Sequence, residues 1–348
     1  MNKIIKEDIE KTVKNLKKFE EKLTNSTILI SGGAGFIGSW FCDVALALGA
    51  KKIICVDNLS SGSIKNIKHL LASPKFEFIK KDICKFTTKE KLDYVVHMAS
   101  IATPGIYMKY PVETLDTNLF GTKKMLEFAQ KNKAKGFLIT STSEVYGNPA
   151  DIDIPTEENY YGYVNSYGAR SMYDEGKRGA EAYCYSFGQK FPQMPIRIVR
   201  IFNTYGPRLD IESTSQYGRA LVKFIWQALN NKPITIYSDG RQTRSFCYIT
   251  DQLRGLFTLL LTPGIDHQAI NIGNGKEYSI LALAKKIIKI TDSKSKILHD
   301  SPPNYNLSDD PRRRCPNLAK AKKLISYETK ISLDEGLKRT SLWLKETL

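Results

Sequence analysis

A glycine-rich turn directly after an apolar run constrains this chain more than any other feature of its sequence. The segment "TILISGGAGFIGSW" places glycines at positions 32, 33, 35 and 38 after a short apolar stretch. The spacing fits G-x-x-G-x-x-G from Gly32 and G-x-G-x-x-G from Gly33. Such glycines allow a tight turn in which backbone N–H groups and a helix N-terminus meet a pyrophosphate. The segment therefore predicts a strand, a phosphate-binding turn and a helix.

Short apolar runs then alternate with helical patterns along the first part of the chain. Runs with the length and composition of buried parallel strands lie at 27–31, 52–57, 76–80, 94–99, 136–140 and 196–202. Alternation of strands and helices is typical of a doubly wound parallel sheet. The sequence therefore predicts an α/β chain with a Rossmann sheet. After about residue 203 the alternation weakens, which predicts a smaller C-terminal lobe of mixed helices and strands.

These patterns divide the chain into three predicted regions. Residues 1–25 have apolar positions near helical spacing and are predicted to form one amphipathic helix, which contacts either a partner or its own domain. Residues 26–203 are predicted to form the NAD-binding Rossmann domain. Residues 204–348 are predicted to form the substrate lobe, leaving open the return of some of its strands and helices to the Rossmann sheet.

Composition excludes several classes of protein. No apolar run reaches the length of about eighteen residues that a membrane helix needs, and the N-terminal segment lacks the apolar core of a secretory signal. The six cysteines show no paired spacing, so we expect reduced thiols in a cytoplasmic protein and no metal site. The formal net charge is +16, but the lysines are scattered among acidic residues. We therefore expect no nucleic-acid partner and no membrane partner.

A carboxylate at the end of the second predicted strand specifies the dinucleotide. Asp57 lies where it can bind both hydroxyls of the adenosine ribose, and its charge would repel a 2′-phosphate. The cofactor is therefore predicted to be NAD and not NADP. Asp57 and Asn58 could also simply begin a turn, and Asp82 could contact the adenine or cap a helix. The predicted cofactor-binding residues are Gly32, Gly35, Phe36, Ile37, Gly38, Asp57, Asn58, Asp82, Ile83, Tyr173 and Lys177.

A second group of polar residues follows the strand predicted at 136–140. The stretch "STSEVYG" places Thr142 and Glu144 at the carboxyl end of that strand, where ligands bind in doubly wound sheets. Tyr173 and Lys177, in "YDEGK", are four residues apart and share one helix face. A tyrosine hydroxyl with its usual pKa of about 10 is a poor base, but a nearby lysine cation favours the tyrosinate. Together these residues could remove a hydroxyl proton while hydride leaves for NAD.

The chain resembles the extended short-chain dehydrogenases/reductases, and within them the UDP-glucuronate decarboxylases, also called UDP-xylose synthases. The segments "STSEVYG", "YDEGKR", "RIFNTYGPR", "QTRSF" and "DDPRRRCPN" carry this resemblance, which extends over nearly the whole chain from about residue 26. The resemblance implies that Thr142, Tyr173 and Lys177 serve the oxidation. It implies that Glu144 lies beside the reacting carbon and that Arg244 binds the sugar carboxylate.

The resemblance also implies a substrate and an assembly. Tyr107, Asn203, Arg208 and one arginine of 312–314, represented by Arg314, match segments along the nucleotide-sugar site. The implied reaction is decarboxylation of UDP-glucuronate to UDP-xylose through a 4-keto sugar, with NAD regenerated in each cycle. The implied assembly is a homodimer formed through residues 111–131 and 165–189.

Three other functions stay open from the sequence. A nucleotide-sugar 4-epimerase needs the same oxidation but needs no glutamate at position 144. A 4,6-dehydratase uses a glutamate preceded by an aspartate, and Ser143 occupies that preceding position here. A non-catalytic protein that binds NAD and a nucleotide sugar would not require Thr142, Tyr173 and Lys177 to be intact.

Overall fold

The computed structural model describes residues 1–209, 220–301 and 311–347. The strands are β1 (Thr27–Ser31), β2 (Lys52–Asp57), β3 (Phe76–Lys80), β4 (Tyr94–His97), β5 (Gly136–Thr142), β6 (Ile196–Ile201), β7 (Thr204–Tyr205), β8 (Ile234–Tyr237), β9 (Thr243–Ser245), β10 (Cys247–Tyr248), β11 (Gln268–Ile272), β12 (Glu277–Ser279) and β13 (Ile297–Asp300). The helices are α1 (Lys3–Leu16), α2 (Glu20–Leu23), α3 (Phe36–Ala47), α4 (Pro104–Tyr107), α5 (Pro111–Asp116), α6 (Thr122–Asn132), α7 (Ser171–Lys190), α8 (Ala220–Leu229), α9 (Ile249–Leu261), α10 (Ile280–Thr291), α11 (Ala319–Ile325) and α12 (Leu333–Thr347).

A seven-stranded parallel sheet forms the centre of the fold, in the order β11-β6-β5-β4-β1-β2-β3. The six strands predicted from apolar runs are all present, and the predicted doubly wound sheet is confirmed. β5 extends two residues beyond its predicted end, through Thr142. The seventh strand, β11, comes from the C-terminal part of the chain and pairs with β6 from Gln268↔Arg197 to Ile272↔Ile201. Residues of the predicted substrate lobe therefore return to the Rossmann sheet.

Both faces of the sheet are covered, which explains why its strands are continuously apolar. Successive side chains of a strand point to opposite faces. In β1, Ile28 and Ile30 belong to the apolar cluster that includes Trp40 of α3, whereas Leu29 belongs to the cluster that includes Met125 of α6. The sheet is consequently held between two apolar layers, and its carboxyl-terminal edge is left for the site.

The N-terminal segment packs against α3, α9 and α12 of its own chain. The single helix predicted over residues 1–25 is divided into α1 and α2 by a 3₁₀ turn at Lys17–Phe19. The break still leaves Leu16, Phe19 and Leu23 buried in the core. Buried Asp8 of α1 accepts a hydrogen bond from the Tyr248 hydroxyl (2.6 Å) and pairs with Arg339 of α12 (2.9 Å). These contacts fix α1 to its own chain.

The smaller lobe is built from short strand pairs and flanking helices. β8 pairs with β13, β9 pairs antiparallel with β12, and β7 pairs with β10. The helix α10 follows β12 directly and contacts α8. This arrangement places β9, which carries Arg244, at the mouth of the Rossmann sheet, where it lines the same cavity as the glycine turn.

Candidate active site

The glycine turn between β1 and α3 is a cradle with no space for side chains. Gly32 has φ +75°, and a Cβ there would lie 2.5 Å from the backbone nitrogen of Ala99. A Cβ at Gly38, in the first turn of α3, would overlap the carbonyl oxygen of Gly32. The exposed backbone N–H groups and the N-terminus of α3 are thus open to a phosphate group. The residues present fit the pyrophosphate of a dinucleotide.

Asp57 holds the glycine turn from the end of β2. Its carboxylate accepts hydrogen bonds from the backbone N–H groups of Ala34 (3.0 Å) and Leu59 (2.8 Å). Burial raises the pKa of the Asp57 carboxyl, and the two N–H groups oppose that rise. The carboxylate therefore links the end of β2 to the turn, at the position where the sequence predicts ribose binding.

The predicted cofactor-binding residues do not all line the same cavity. Gly32, Gly35, Phe36, Ile37, Gly38, Tyr173 and Lys177 line one cavity of about 500 Å³. Asp57, Asn58, Asp82 and Ile83 lie outside its lining. Asp82 caps the 3₁₀ turn Ile83–Lys85 by accepting a hydrogen bond from the Cys84 N–H (2.9 Å), and Ile83 is buried in the core. The structure thus gives Asp82 the capping contact that the sequence left open.

The predicted oxidation residues lie together where β5 and α7 meet. Thr142 ends β5, and Tyr173 lies on the first turn of α7 with its ring stacked on Tyr107 (centroids 5.5 Å apart). Lys177 lies one turn further and donates a hydrogen bond to the Thr140 carbonyl (2.8 Å). All of these side chains line the cavity that also contains the glycine turn. The geometry brings a tyrosine, a lysine and a threonine hydroxyl to one end of the cofactor cradle.

Lys177 is buried, and its environment changes its titration. Burial lowers the pKa of its ammonium group to about 8, and the Glu181 carboxylate opposes that shift. Glu181 lies one turn beyond Lys177 on α7 and pairs with Arg200 of β6 (2.7 Å). It also accepts a hydrogen bond from the Ser141 hydroxyl (2.5 Å). The lysine thus remains largely charged at neutral pH.

Glu144 lies within a cluster of arginines. Its Oε2 atom is bound by the Arg314 guanidinium (2.9 Å) and by the Arg170 guanidinium, and Ser143 donates to Oε1 (3.2 Å). Burial by itself would raise the pKa of the Glu144 carboxyl. The positive charges of Arg314, Arg170 and Arg244 outweigh burial and lower that pKa to about 2. Glu144 is therefore a carboxylate throughout the neutral pH range.

The arginines of the cluster come from distant parts of the chain. Arg244 of β9 lines the cavity and donates to the carbonyls of Thr243 (2.9 Å) and Arg312 (3.3 Å). Arg314 lies behind Glu144, is buried, and also donates to the Gly147 carbonyl (2.5 Å). Of the three arginines at 312–314, Arg314 is the one that pairs with Glu144.

Sequence reasoning missed Arg170. It directly precedes α7, is buried, lines the cavity and binds both Glu144 and Asp174. Its position three residues before Tyr173 was the one available signal, because the first turn of α7 is where Tyr173 reaches the cavity. Sequence alone did not distinguish it from a surface arginine.

The remaining predicted substrate residues have different surroundings. Asn203 follows β6 with φ +30° and lines the cavity. Arg208 also lines the cavity, but it is buried in an ion pair with Asp43 of α3 (2.6 Å) and lies over the Trp40 ring (5.0 Å). Arg208 therefore ties the segment after β7 to the helix that follows the glycine turn.

Two further observations concern metal ligands and membrane-spanning helices. Within the described residues, no group of three or more His, Cys, Asp or Glu side chains is arranged to hold a metal ion. The helices of the described ranges include none that is long and apolar enough to cross a membrane.

The chain belongs to the NAD dependent epimerase/dehydratase family, whose profile matches residues 28–273. This membership confirms the resemblance to extended short-chain dehydrogenases/reductases and the predicted NAD cofactor. Among curated proteins, UDP-glucuronic acid decarboxylase 5 of Arabidopsis thaliana is 42% identical to it over 314 residues. The match covers 90% of this chain and 88% of the relative.

Solved structures share the architecture of this chain. An epimerase from Methanothermobacter thermautotrophicus superposes with a TM-score of 0.84 at 29% identity, covering 95% of this chain and 96% of its own. UDP-glucuronic acid 4-epimerase from Bacillus cereus, solved with UDP-glucuronic acid and NAD, superposes with a TM-score of 0.78 at 30% identity. That match covers 92% of this chain and 100% of the epimerase.

Proposed function

We propose that the chain is a UDP-glucuronate decarboxylase that forms UDP-xylose through a 4-keto sugar and regenerates NAD in each cycle. The observation that carries this proposal is a single cavity with two chemical ends. Tyr173 and Lys177 line it together with the glycine turn, and Glu144 lines it together with two of the arginines that act on its charge. Identity of 42% to a UDP-glucuronic acid decarboxylase supports the same function.

The oxidation is assigned to three residues. NAD, when bound, accepts hydride from C4 of the sugar and later returns it. Tyr173 acts as a tyrosinate, which the buried cation of Lys177 stabilises. It takes the proton of the C4 hydroxyl and becomes a neutral tyrosine. The hydroxyl of Thr142 at the end of β5 binds the same sugar oxygen. Tyr107 restricts the orientation of the Tyr173 ring by stacking on it.

Decarboxylation follows from the position of the new ketone. A ketone at C4 makes the C6 carboxylate a β-keto acid, so the C5–C6 bond can break with its electrons held as an enolate. Arg244, which lines the cavity, can bind a carboxylate with two parallel N–H bonds and orient that bond for cleavage. If Arg244 stabilised the carboxylate more than the transition state, it would slow the loss of CO₂. The proposed role of Arg244 is therefore to orient the carboxylate.

Glu144 is assigned to the proton that replaces CO₂ at C5. Because it stays ionised, it cannot donate that proton as a carboxylic acid. It can accept a hydrogen bond from a water molecule and so orient that water toward C5. Arg314 keeps it ionised from behind, and Asn203 and Arg208 are proposed to bind the nucleotide part of the substrate along the cavity wall.

The experiment that tests this function is incubation of the purified protein with a panel of nucleotide sugars, with product masses as the readout. A mass loss equal to CO₂ from UDP-glucuronate is expected. An unchanged mass with an epimerised sugar would indicate a 4-epimerase, which the solved 4-epimerases of similar fold make the second candidate. Loss of water would indicate a dehydratase, and tight binding of NAD with no turnover would indicate a non-catalytic protein.

We further propose that the protein is a cytoplasmic homodimer. Val112 on α5, Phe120 in the π-helical turn Thr117–Gly121, and Tyr185 on α7 have exposed fractions of 65%, 53% and 69%. Apolar side chains on adjoining helices are the kind of surface that a second copy covers. A monomeric mass by light scattering at micromolar concentration would contradict the dimer. The six cysteines are free thiols, which fits a reducing compartment.

A further inference from the structure

A largely buried ion pair lies close to the proposed oxidation residues. In this pair, Arg200 of β6 binds Glu181 of α7 through two hydrogen bonds: Nε donates to Oε1 (3.0 Å) and Nη2 donates to Oε2 (2.7 Å). The hydroxyl of Ser141, which lines the cavity, donates to Oε1 as well (2.5 Å). The Glu181 carboxylate is therefore fixed by groups other than Lys177, its neighbour on the helix.

Arg200 is itself held by a wider hydrogen-bond network. Its Nη1 atom donates to the Tyr146 hydroxyl (2.9 Å) and to the Glu158 carbonyl (2.9 Å). The Tyr146 hydroxyl in turn donates to Oδ1 of Asn271 in β11 (2.7 Å). Arg200 therefore reaches Glu181 from a fixed position in the sheet, and the carboxylate has a defined place beside α7.

Lys177 lies one helical turn before Glu181, so the two side chains are neighbours on the helix surface. Both contact β5: the Lys177 ammonium donates to the Thr140 carbonyl (2.8 Å), and Glu181 accepts from Ser141. Lys177 is buried, and a buried cation is costly unless an opposite charge lies near it. Burial lowers the pKa of the ammonium group to about 8, and the Glu181 carboxylate opposes that shift.

We propose that Glu181 is a positioning residue for the oxidation: its fixed carboxylate keeps the buried ammonium group of Lys177 charged, one turn from Tyr173. The inference rests on the proposed function, in which that ammonium group stabilises the tyrosinate of Tyr173. Arg200 cannot act in this way, because its own charge is positive. It holds the carboxylate in place and neutralises part of its charge.

Two other titratable groups interact with Lys177, and both are uncharged at neutral pH. Burial raises the pKa of the Cys184 thiol on α7, which therefore stays protonated. Burial, assisted by the Lys177 cation, lowers the pKa of the His97 imidazole on β4 to about 3, so that imidazole is neutral. Tyr173 is the residue that Lys177 serves. Within the described residues, the negative charge that offsets the burial of Lys177 is thus assigned to Glu181.

The test compares two variants that remove opposite members of the same ion pair, Glu181→Gln and Arg200→Gln. The titration of Lys177 is followed by NMR on NAD-loaded protein labelled with ¹³C at lysine Cε, in a Tyr173→Phe background that removes the tyrosinate. Lys177→Met assigns the signal, and surface lysines titrate separately at about 10.4. We expect the Lys177 midpoint to lie about one pH unit lower in Glu181→Gln. In Arg200→Gln it should stay at or above the parent value.

A second readout uses protein with Tyr173 intact. On rapid mixing with UDP-glucuronate, the rate of bound NADH formation should decline on the alkaline side about one pH unit earlier in Glu181→Gln than in the parent. Glu181→Asp keeps the charge and should stay nearer the parent. Glu175→Gln is the matched control, because Glu175 is another α7 carboxylate, pairs with Arg178 (3.4 Å) and is absent from the cavity lining. It should keep the parent profile.

Either of two results would overturn the inference: a Lys177 midpoint in Glu181→Gln equal to that of the parent, or an equal fall in Glu181→Gln and Arg200→Gln. The second result would show that the pair only anchors α7 to the sheet. Thermal unfolding checks that each variant is folded. If Glu181→Gln does not fold, Arg200→Gln decides alone, and a lowered midpoint there would overturn the inference.

Failure of the proposed function is read separately, because the NMR titration needs no nucleotide sugar. A protein with the expected Lys177 midpoints that forms no NADH with UDP-glucuronate would contradict the proposed function. The role of Glu181 in keeping Lys177 charged would still stand.

Discussion

The cofactor end and the carboxylate end of the cavity are built in different ways. At the cofactor end, one contiguous stretch from Gly32 to Gly38 supplies the cradle, and backbone geometry excludes side chains from it. At the carboxylate end, Glu144 is surrounded by Arg170, Arg244 and Arg314, which lie far apart in the sequence. The first end is a local backbone conformation, whereas the second is a set of charges that only the completed fold brings together.

This difference predicts how each end responds to change. The backbone cradle should fail when a side chain is added, and it should be insensitive to pH. The charged end should respond to the removal of single charges and to pH, because its carboxylates and arginines share hydrogen bonds. Tyr173 and Lys177 line the same cavity and serve the oxidation on which decarboxylation depends, so their removal should abolish the whole reaction.

The largest effect is expected from Tyr173→Phe, which removes the base that both ends depend on. Turnover of UDP-glucuronate should fall by about a thousandfold or more, the scale of one positioned acid–base group. The phenyl ring can keep the stacking contact with Tyr107, so NAD should bind as in the parent. Rapid-mixing measurement of bound NADH formation checks this, and NADH formed at the parent rate would contradict the role of Tyr173.

The next effect is expected from Glu144→Gln, which changes the carboxylate end alone. Steady-state CO₂ release should fall by about a hundredfold, because the next turnover waits for the proton at C5, while NAD binding and the first oxidation persist. Glu277→Gln is the matched control, because Glu277 is also paired with an arginine, Arg313 (2.5 Å), but lies outside the cavity lining. CO₂ release from the Glu144 variant at the parent rate would contradict the division of roles between the two ends.

A smaller effect is expected from Gly38→Ala, which changes the cofactor end alone. The added Cβ overlaps the Gly32 carbonyl oxygen, so the turn must move and NAD affinity should fall by about tenfold or more. Gly264→Ala is the control, because Gly264 has φ +77° but no atom within 4 Å of an added Cβ. Isothermal titration with NAD measures both variants. Equal NAD affinities for the Gly38 variant and the parent would show that the cradle is not the cofactor site.

The smallest effect is expected in the stability of the Asp174→Asn variant. The pKa of Asp174 is raised to about 7, so the folded protein holds this proton over a pH range in which the unfolded chain releases it. The associated stability is present at low pH and is lost as the pH rises through 7. The variant should therefore melt about 3 °C above the parent at about pH 8. The gain should shrink as the pH falls toward the ordinary carboxyl pKa, and a gain independent of pH would contradict this account.

The parts of the fold that depend on local sequence patterns were predictable from the sequence. Six of the sheet strands follow from apolar runs, and the glycine turn follows from spacing. The edge strand β11 was not predicted, because the short segment "QAINI" has no local signal that assigns it to a sheet whose first strand begins at Thr27. The break in the N-terminal helix was missed because apolar spacing does not distinguish an α-helix from one interrupted by a 3₁₀ turn.

In the candidate site, too, the residues that local sequence patterns indicate were predictable. Thr142, Tyr173 and Lys177 were named from a strand end and a helix spacing, and the structure brings them into one cavity. Arg170 and Asp174 were missed, because a buried ion-pair chain depends on which segments meet in the fold. The capping contact of Asp82 and the buried pairing of Arg208 with Asp43 likewise depend on tertiary neighbours.

The most direct measurement is the fate of UDP-glucuronate labelled with ¹³C in its carboxylate, incubated with the parent protein in heavy water. The two-ended cavity predicts one labelled CO₂ for each UDP-xylose formed, with one deuterium at C5 and no net consumption of NAD. Conversion to a 4-epimer that retains the label would contradict it, because the C5–C6 bond that Arg244 is proposed to orient would stay intact and Glu144 would have no proton to direct to C5.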